Sequence, residues 1–343
     1  MIKVVSLMIK QAIEKVVGGD NLTLEEAMGS MDEIMSGEAT GAQIGAYLAA
    51  LRMKGESIDE ITASARIMRD KGEKVSAGEG ILDIVGTGGD CAFTFNVSTV
   101  SAIVVAAAGV KVAKHGNRSV SSKCGSADVL EALGVKITLT PSQVEAVLKK
   151  AGICFMFAQV FHKSMKYAAA PRKELGIRTI FNILGPLSNP AGADMQLLGV
   201  YDEALCEPLI RSLQNLGVKR SMAVYGRVGI DEVSLCGETY VCELKDDRIN
   251  KYILTPEDFG LERCTLDELR GGDAKENADI AKRLLAGEKG PKRDMVLINS
   301  AAALYTAGID NSLKNCVDIA ARMIDSGKAA QKLAEFVAAT NEY

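Results

Sequence analysis

The sequence predicts an α/β protein. A small all-helical N-terminal domain (1–75) precedes a large α/β domain (76–343) with a mostly parallel central sheet flanked by helices. Three observations predict it. Three capping boxes follow one another at the start of the chain. From about residue 80, short apolar strands that end in glycine-rich or polar loops alternate with apolar helical runs. The length, 343 residues with 48% hydrophobic, exceeds what one hydrophobic core usually organises.

The capping boxes pair Thr23 with Glu26, Thr40 with Gln43 and Ser57 with Glu60. In each, a hydroxyl can satisfy an orphan amide of the first turn and the Glu or Gln can reach back. Leu24, Ala27, Met28, Met31, Ile34 and Met35 then fall on one helical face. Gly55 and Gly72 stand where helices should stop. "SAGEG" (76–80) is the expected linker. Beyond it "ILDIV" is a strand, "VSTVSAIVVAAAG" a buried helix, "VKVAKHG" a strand and "SADVLEALG" a helix with a glycine stop. That alternation implies right-handed crossovers between parallel strands. "VLINSAAALYTAG" (296–308) is another buried helix. No fixed-period repeat or low-complexity stretch occurs.

Composition excludes several functions. A net charge of −4 gives no broad basic face, so neither nucleic acid nor an anionic membrane is an expected partner. An anionic ligand would need a local cationic site. Eight cysteines and two histidines with no CxxC pair disfavour zinc and suggest free thiols in a reducing cytoplasm. "MIKVVSLMIKQ" is too short in its apolar part for a signal peptide. "VSAIVVAAAGV" (100–110) is too short to span a bilayer. A soluble, cytoplasmic protein is expected.

In open parallel sheets, ligands sit beyond the carboxyl ends of the strands. Gly86, Thr87, Gly88 and Gly89 fall there, followed by Asp90. Bare backbone lets a bulky anion approach the amides, although a tight turn without a ligand accounts for the same glycines. GxGxxG would need glycine at Cys91, and GxxxxGK[ST] is absent. The strand-ending acidic pair of common phosphoribosyltransferases is also missing, since Asp246 and Asp247 lie in a polar stretch. "NVST" (96–99) offers an amide and hydroxyls that suit either plain capping or phosphate and metal-water contacts. "KHGNRSVSSKCGSAD" (114–128) brings Lys114, Arg118 and Lys123 among Asn117, Ser119, Ser121, Ser122 and Ser126. It follows an apolar strand and precedes a helix, so the two polar loops should face each other on adjacent strand ends. Asp231 and Glu232, in "GIDEVS", could turn together toward Mg²⁺ or form an ordinary solvated pair.

With these motifs the chain resembles the anthranilate phosphoribosyltransferase family nearly end to end. The likeness runs through "IMSGEATGAQIGAYLAALRMKGES", "GTGGD", "FNVST", "KHGNRSVSSKCGSADVLEALG", "RKELGIRTIFNILGPLSNPAGA", "TPEDFGL", "GGDAKENA" and "RDMVLINSAAALYTAG". The resemblance implies a fold shared with pyrimidine nucleoside phosphorylases, a homodimer formed through the helical domains, and a segment near 166–190 that returns to the helical side. It implies transfer of the 5-phosphoribosyl group from phosphoribosyl pyrophosphate (PRPP) to anthranilate, with Mg²⁺.

For PRPP the resemblance implies Gly86, Gly89, Asp90, Thr94, Asn96, Val97, Ser98, Thr99, Lys114, His115, Gly116, Asn117, Arg118, Ser119, Val120, Ser121, Ser122 and Ser126. Lys114 and Asn117 would support the transition state. Mg²⁺ falls to Ser98, Asp231 and Glu232, and anthranilate to Gly86, Asn117 and Arg172. A guanidinium can grip the benzoate carboxylate in bidentate fashion. His115 is either a packed, hydrogen-bonded residue or a wall of the aromatic pocket. The chain departs from the family pattern at Cys91, Phe93, Phe161, Lys163, Tyr167, Pro171 and Tyr225, which bears on the acceptor pocket and on the stiffness of the loop after Asp90. Two other functions on this fold are a nucleoside phosphorylase and a nucleic-acid-binding relative without activity.

Overall fold

The computed structural model describes residues 8–90, 92–119 and 123–343. Four helices open it: α1 (Met8–Val17), α2 (Leu24–Ser36), α3 (Gly41–Lys54) and α4 (Ile58–Lys71). All three expected capping boxes form. In the third, the buried Glu60 carboxylate accepts from the amides of Ser57 (2.7 Å) and Leu22 (2.9 Å) and pairs with Lys54 at 2.9 Å. One cap thereby also fastens the turn between α1 and α2. Helices α3 and α4 stop at Gly55 and Gly72 as expected, the first with a positive φ of 87° and the second with a φ of −79°. Glycine is needed at the second for room, since a Cβ would come within 3.0 Å of the His162 ring and 3.1 Å of the Met68 carbonyl.

The α/β part begins with β1 (Ile81–Gly86), α5 (Val97–Ala107), β2 (Lys111–Gly116), α6 (Ser126–Ala132), α7 (Pro141–Ala151) and β3 (Ile153–Phe157). It continues through α8 (Ala158–Phe161), α9 (Lys166–Leu175), α10 (Phe181–Leu187), β4 (Met195–Gly199), α11 (Cys206–Asn215) and β5 (Arg220–Gly226). The hairpin β6 (Thr239–Lys245) and β7 (Arg248–Leu254) precedes α12 (Ala274–Leu285), α13 (Pro291–Thr306), α14 (Leu313–Asp325) and α15 (Lys328–Thr340). The seven strands run in the order β3-β2-β1-β4-β5-β6-β7. The first five are parallel, and β6 and β7 are antiparallel. Asp246 and Asp247 form the hairpin turn, both with positive φ, as a two-residue hairpin requires.

From β1 the chain moves outward to β2 and β3, then returns to lay β4 on the other side of β1. The switch in strand order therefore falls between β1 and β4, where open α/β sheets bind ligands. One core packs β1–β3 against α5, α7 and α12–α15. A second joins the helical bundle to α10, α11 and Leu198, Ala223 and Cys242 of β4–β6. The chain returns to the bundle through α9 and α10, which pack on α2, α3 and α4. Arg69 of α4 pins the junction by donating to the carbonyls of Leu187 (2.7 Å) and Leu216 (3.3 Å). Among the described residues the cysteines are free thiols, and no helix is long and apolar enough to cross a membrane.

Candidate active site

Four of the five parallel strands end in glycine, and each is a point of close approach. A Cβ would lie 2.4 Å from Asp231 Oδ2 at Gly86, 2.2 Å from Ser126 Oγ at Gly116, 1.5 Å from the Asp231 carbonyl at Gly199 and 2.6 Å from Ile230 at Gly226. The sheet's carboxyl edge is thus cut back, and polar loops close over it around a cleft of about 840 Å³. Gly86, Gly89, Asp90, Thr94, Asn96, Val97, Ser98 and Thr99 line it from the first segment. Lys114, His115, Gly116, Asn117, Arg118, Ser119 and Ser126 line it from the second, with Arg172, Asp231 and Glu232 completing the wall. Val120, Ser121 and Ser122, and the departure at Cys91, lie outside the described residues. Lys123 is exposed and stands off the cleft.

The glycine turn is tied down residue by residue. Thr87 N–H donates to the Gly199 carbonyl at 2.9 Å, and its hydroxyl accepts from Tyr201 N at 3.1 Å. Gly88 N–H donates to Asp231 Oδ2 at 2.7 Å. Asp90 reaches the Asp231 amide at 3.5 Å. Asp90, Asp231 and Glu232 therefore crowd together. Burial first, then the neighbouring carboxylate, pushes Asp231 and Glu232 upward in pKa. Lys114, whose own pKa burial lowers, partly offsets this. The Ser98 amide also donates to Glu232.

Crowded, half-buried carboxylates beside a hydroxyl suit a hard divalent cation. Among the described residues no group of three or more His, Cys, Asp or Glu could hold a metal ion by itself. Mg²⁺ is usually held by one or two carboxylates and completes its shell with ligand phosphates and water.

The cations differ in how they are held. Lys114 Nζ, buried, donates to the Ile84 carbonyl and to Ser98 Oγ (3.3 Å). Arg118 is paired to Asp128 (2.7 Å) and Glu131 (2.9 Å), so its guanidinium braces α6. Arg172 is half-buried, lies 5.1 Å over the Phe181 ring and forms no ion pair within 4.0 Å among the described residues. Arg178 was not among the residues the sequence singled out. It lines the cleft, donates to the Gly89 carbonyl and stacks 4.2 Å over Tyr201.

His115 is packed, with Nδ1 3.2 Å from the Gly185 carbonyl and its ring edge-on to His162. Burial, with His162 beside it, lowers its pKa to about 3. It is a neutral wall residue.

Other residues that hold the site gave no signal in the sequence. Buried Asp83 accepts from Asn189 (2.7 Å) and from the His115 amide (3.2 Å), and Asn189 also donates to the Ala113 carbonyl (2.9 Å). The "LSNP" asparagine thereby locks β1 to β2. Asn96 donates to the Cys124 carbonyl (3.1 Å) and accepts from Asn277 (2.9 Å). It stitches both loops to α12 rather than capping α5 with its side chain.

Most departures are packing positions. Phe161 is buried, Lys163 pairs with Glu73, and Tyr167 packs on Gly37. Tyr225 packs against the second core, while Phe93 alone among the described departures lines the cleft. Phe93 has a φ of 54°, unusual for a bulky residue.

A helical bundle beside an α/β layer, with a glycine turn, an acid pair and an arginine without an ion pair among the described residues lining one cleft, is the arrangement of a two-domain glycosyl transferase. The model of the "Glycosyl transferase family, helical bundle domain" matches residues 10–72, and that of the "Glycosyl transferase family, a/b domain" matches 78–330. Anthranilate phosphoribosyltransferase of Ruminiclostridium cellulolyticum is 57% identical, covering 98% of both chains. That of Methanobrevibacter smithii is 57% identical over 97% of this chain and all of its own. The crystal structure of the Thermus thermophilus enzyme superposes with a TM-score of 0.92 at 44% identity, covering 96% of this chain and 99% of its own. The Saccharomyces cerevisiae enzyme in complex with PRPP and Mg does so at 0.90 and 29%, covering 98% of each. The chain belongs to the anthranilate phosphoribosyltransferase family.

Proposed function

We infer that this protein transfers the 5-phosphoribosyl group of PRPP to the amino group of anthranilate, releasing pyrophosphate, with Mg²⁺. The observation that carries this reading is a single cleft. It holds a glycine-rich turn, a half-buried acid pair and an arginine with no carboxylate partner among the described residues. The C1–O bond to pyrophosphate breaks as the amine nitrogen bonds to C1, and the nitrogen then passes one proton to the departing pyrophosphate or to water. Charge builds on the leaving group and cationic character on the ribose ring, so holding pyrophosphate and placing the amine are the main demands. Mg²⁺ neutralises charge on the diphosphate when bound.

The protein's own residues do the rest. The 86–90 turn and the described parts of the 114–126 segment line the place of the phosphates with bare backbone and hydroxyls, and Lys114 adds a buried positive charge. Asp231, Glu232 and Ser98 are the proposed metal ligands. Arg172 grips the acceptor carboxylate, with Gly86 and Asn117 beside it. The neutral aryl amine attacks without a strong base, which fits the burial of His115 away from any proton-accepting role.

Within the same reading the protein works in the cytoplasm as a homodimer joined through its helical domain, where Val17 and Met53 are exposed apolar side chains. The test mixes the protein with PRPP, Mg²⁺ and anthranilate and follows anthranilate fluorescence. Loss of fluorescence that depends on both PRPP and Mg²⁺ is expected. No loss, together with phosphorolysis of thymidine or uridine, overturns the reading.

A further inference from the structure

The glycine turn is fastened from three directions, and one fastening comes from the acceptor side of the cleft. Thr87 is held by the end of β4 and by Tyr201, and Gly88 by Asp231. Gly89 is held through its carbonyl by Arg178 Nη2. Arg178 sits in the short connection between α9, which carries Arg172, and α10. Its guanidinium lies 4.2 Å over the ring of Tyr201, the residue whose amide holds Thr87. No carboxylate comes within the 4.0 Å ion-pair distance of it among the described residues.

We propose that Arg178 is a positioning residue that sets the direction of the Gly89–Asp90 peptide and so prepares the turn for the diphosphate of the donor. The proposal rests on the phosphoribosyl-transfer reading above. Gly89 has a φ of 77° and no side chain, so nothing intrinsic fixes its orientation. The peptide unit is planar and trans. Anchoring the Gly89 carbonyl on Arg178 therefore points the Asp90 amide the opposite way. It also restrains Asp90, which lies against the Asp231 amide at 3.5 Å. A guanidinium does this well because one edge donates while the face stays stacked on an aromatic ring. The contact is made to the donor turn, so its loss should be felt by PRPP rather than by anthranilate.

The test compares wild type, Arg178→Ala and Arg178→Lys in steady-state kinetics with each substrate varied, with thermal melts of all three. Arg178→Ala should raise the KM for PRPP about tenfold, the scale of one charged hydrogen bond, and leave the KM for anthranilate within about twofold. Arg178→Lys, whose ammonium can still reach the carbonyl, should recover most of the PRPP effect. The melts of both variants should match wild type, because the side chain is exposed. A change confined to anthranilate, unaltered kinetics, or no recovery by lysine would each overturn the proposal. Wild type with no PRPP-dependent turnover would instead defeat the underlying reading.

Discussion

Among the described residues, Arg172 differs from the other cleft arginines in having neither a carboxylate nor a carbonyl to hold it. A half-buried cation whose partner among the described residues is the Phe181 ring is costly unless a ligand satisfies it. Arg172→Ala should therefore cost about 2–3 kcal/mol of acceptor binding, roughly 30- to 150-fold in kcat/KM for anthranilate. A collapse of PRPP binding with unchanged anthranilate kinetics would show the role to be misassigned.

His115 gives a prediction of a different kind. Its folded pKa, about 3, lies below the unfolded value near 6.5. Its contribution to stability is complete above pH 6.5 and is lost as pH falls toward 3. Between pH 6.5 and 5 the unfolded chain takes up a proton that the folded chain does not, which costs about 2 kcal/mol. His162, whose pKa burial also lowers, adds to the same trend. Denaturant melts at pH 7 and pH 5 should show a smaller loss for His115→Gln than for wild type; equal losses would contradict the assignment.

At this scale the sequence was informative wherever several polar residues followed an apolar strand, as around Gly86 and Lys114. It was silent on Arg178, Asp83, Asn189 and Asn277. Their partners lie 89, 106 and 181 positions away for Arg178–Gly89, Asp83–Asn189 and Asn277–Asn96, and no local pattern records such a pairing.

The elements that build the site are strands that stop at glycine. Gly199 is the most constrained, because a Cβ there would stand 1.5 Å from the Asp231 carbonyl and 2.5 Å from its carbon. Backbone cannot yield as a flexible side chain can. Gly199→Ala should push the Asp231–Glu232 loop outward and cut Mg²⁺-dependent turnover by at least tenfold, about 1.4 kcal/mol. Wild-type activity with unchanged Mg²⁺ dependence would show that the loop tolerates the shift.

Helix starts were readable because a capping box is local: Thr23, Thr40 and Ser57 each need only a residue three positions on. Helix stops were readable too, since α3 and α4 end at Gly55 and Gly72. The further reason for glycine at 72, room for the His162 ring, comes from a neighbour 90 positions away that no window of sequence contains. The glycines at 86 and 116 drew notice because polar loops follow them, whereas Gly199 and Gly226 end strands that the sequence had not singled out.

Across the whole molecule, the helical bundle and the sheet are not independent bodies. The second core runs from α1 through α10 and α11 to the far face of β4–β6. Arg172 and Arg178 both lie on the segment that connects the two, so the acceptor wall and the donor turn share one support. The fold class was legible from alternating strand and helix patterns, since burial demands that periodicity. The strand order was not. Placing β4 beside β1 depends on which long connection crosses the sheet, and hydrophobic pattern is the same for either neighbour. Only the observed order puts the switch point under the glycine turn.

The most direct measurement is a crystal structure of the protein soaked with PRPP and Mg²⁺. The diphosphate should lie between the 86–90 turn and the 114–126 segment, with the metal between it and Asp231 and Glu232. A diphosphate bound elsewhere, or a metal that ignores those two acids, would contradict the account.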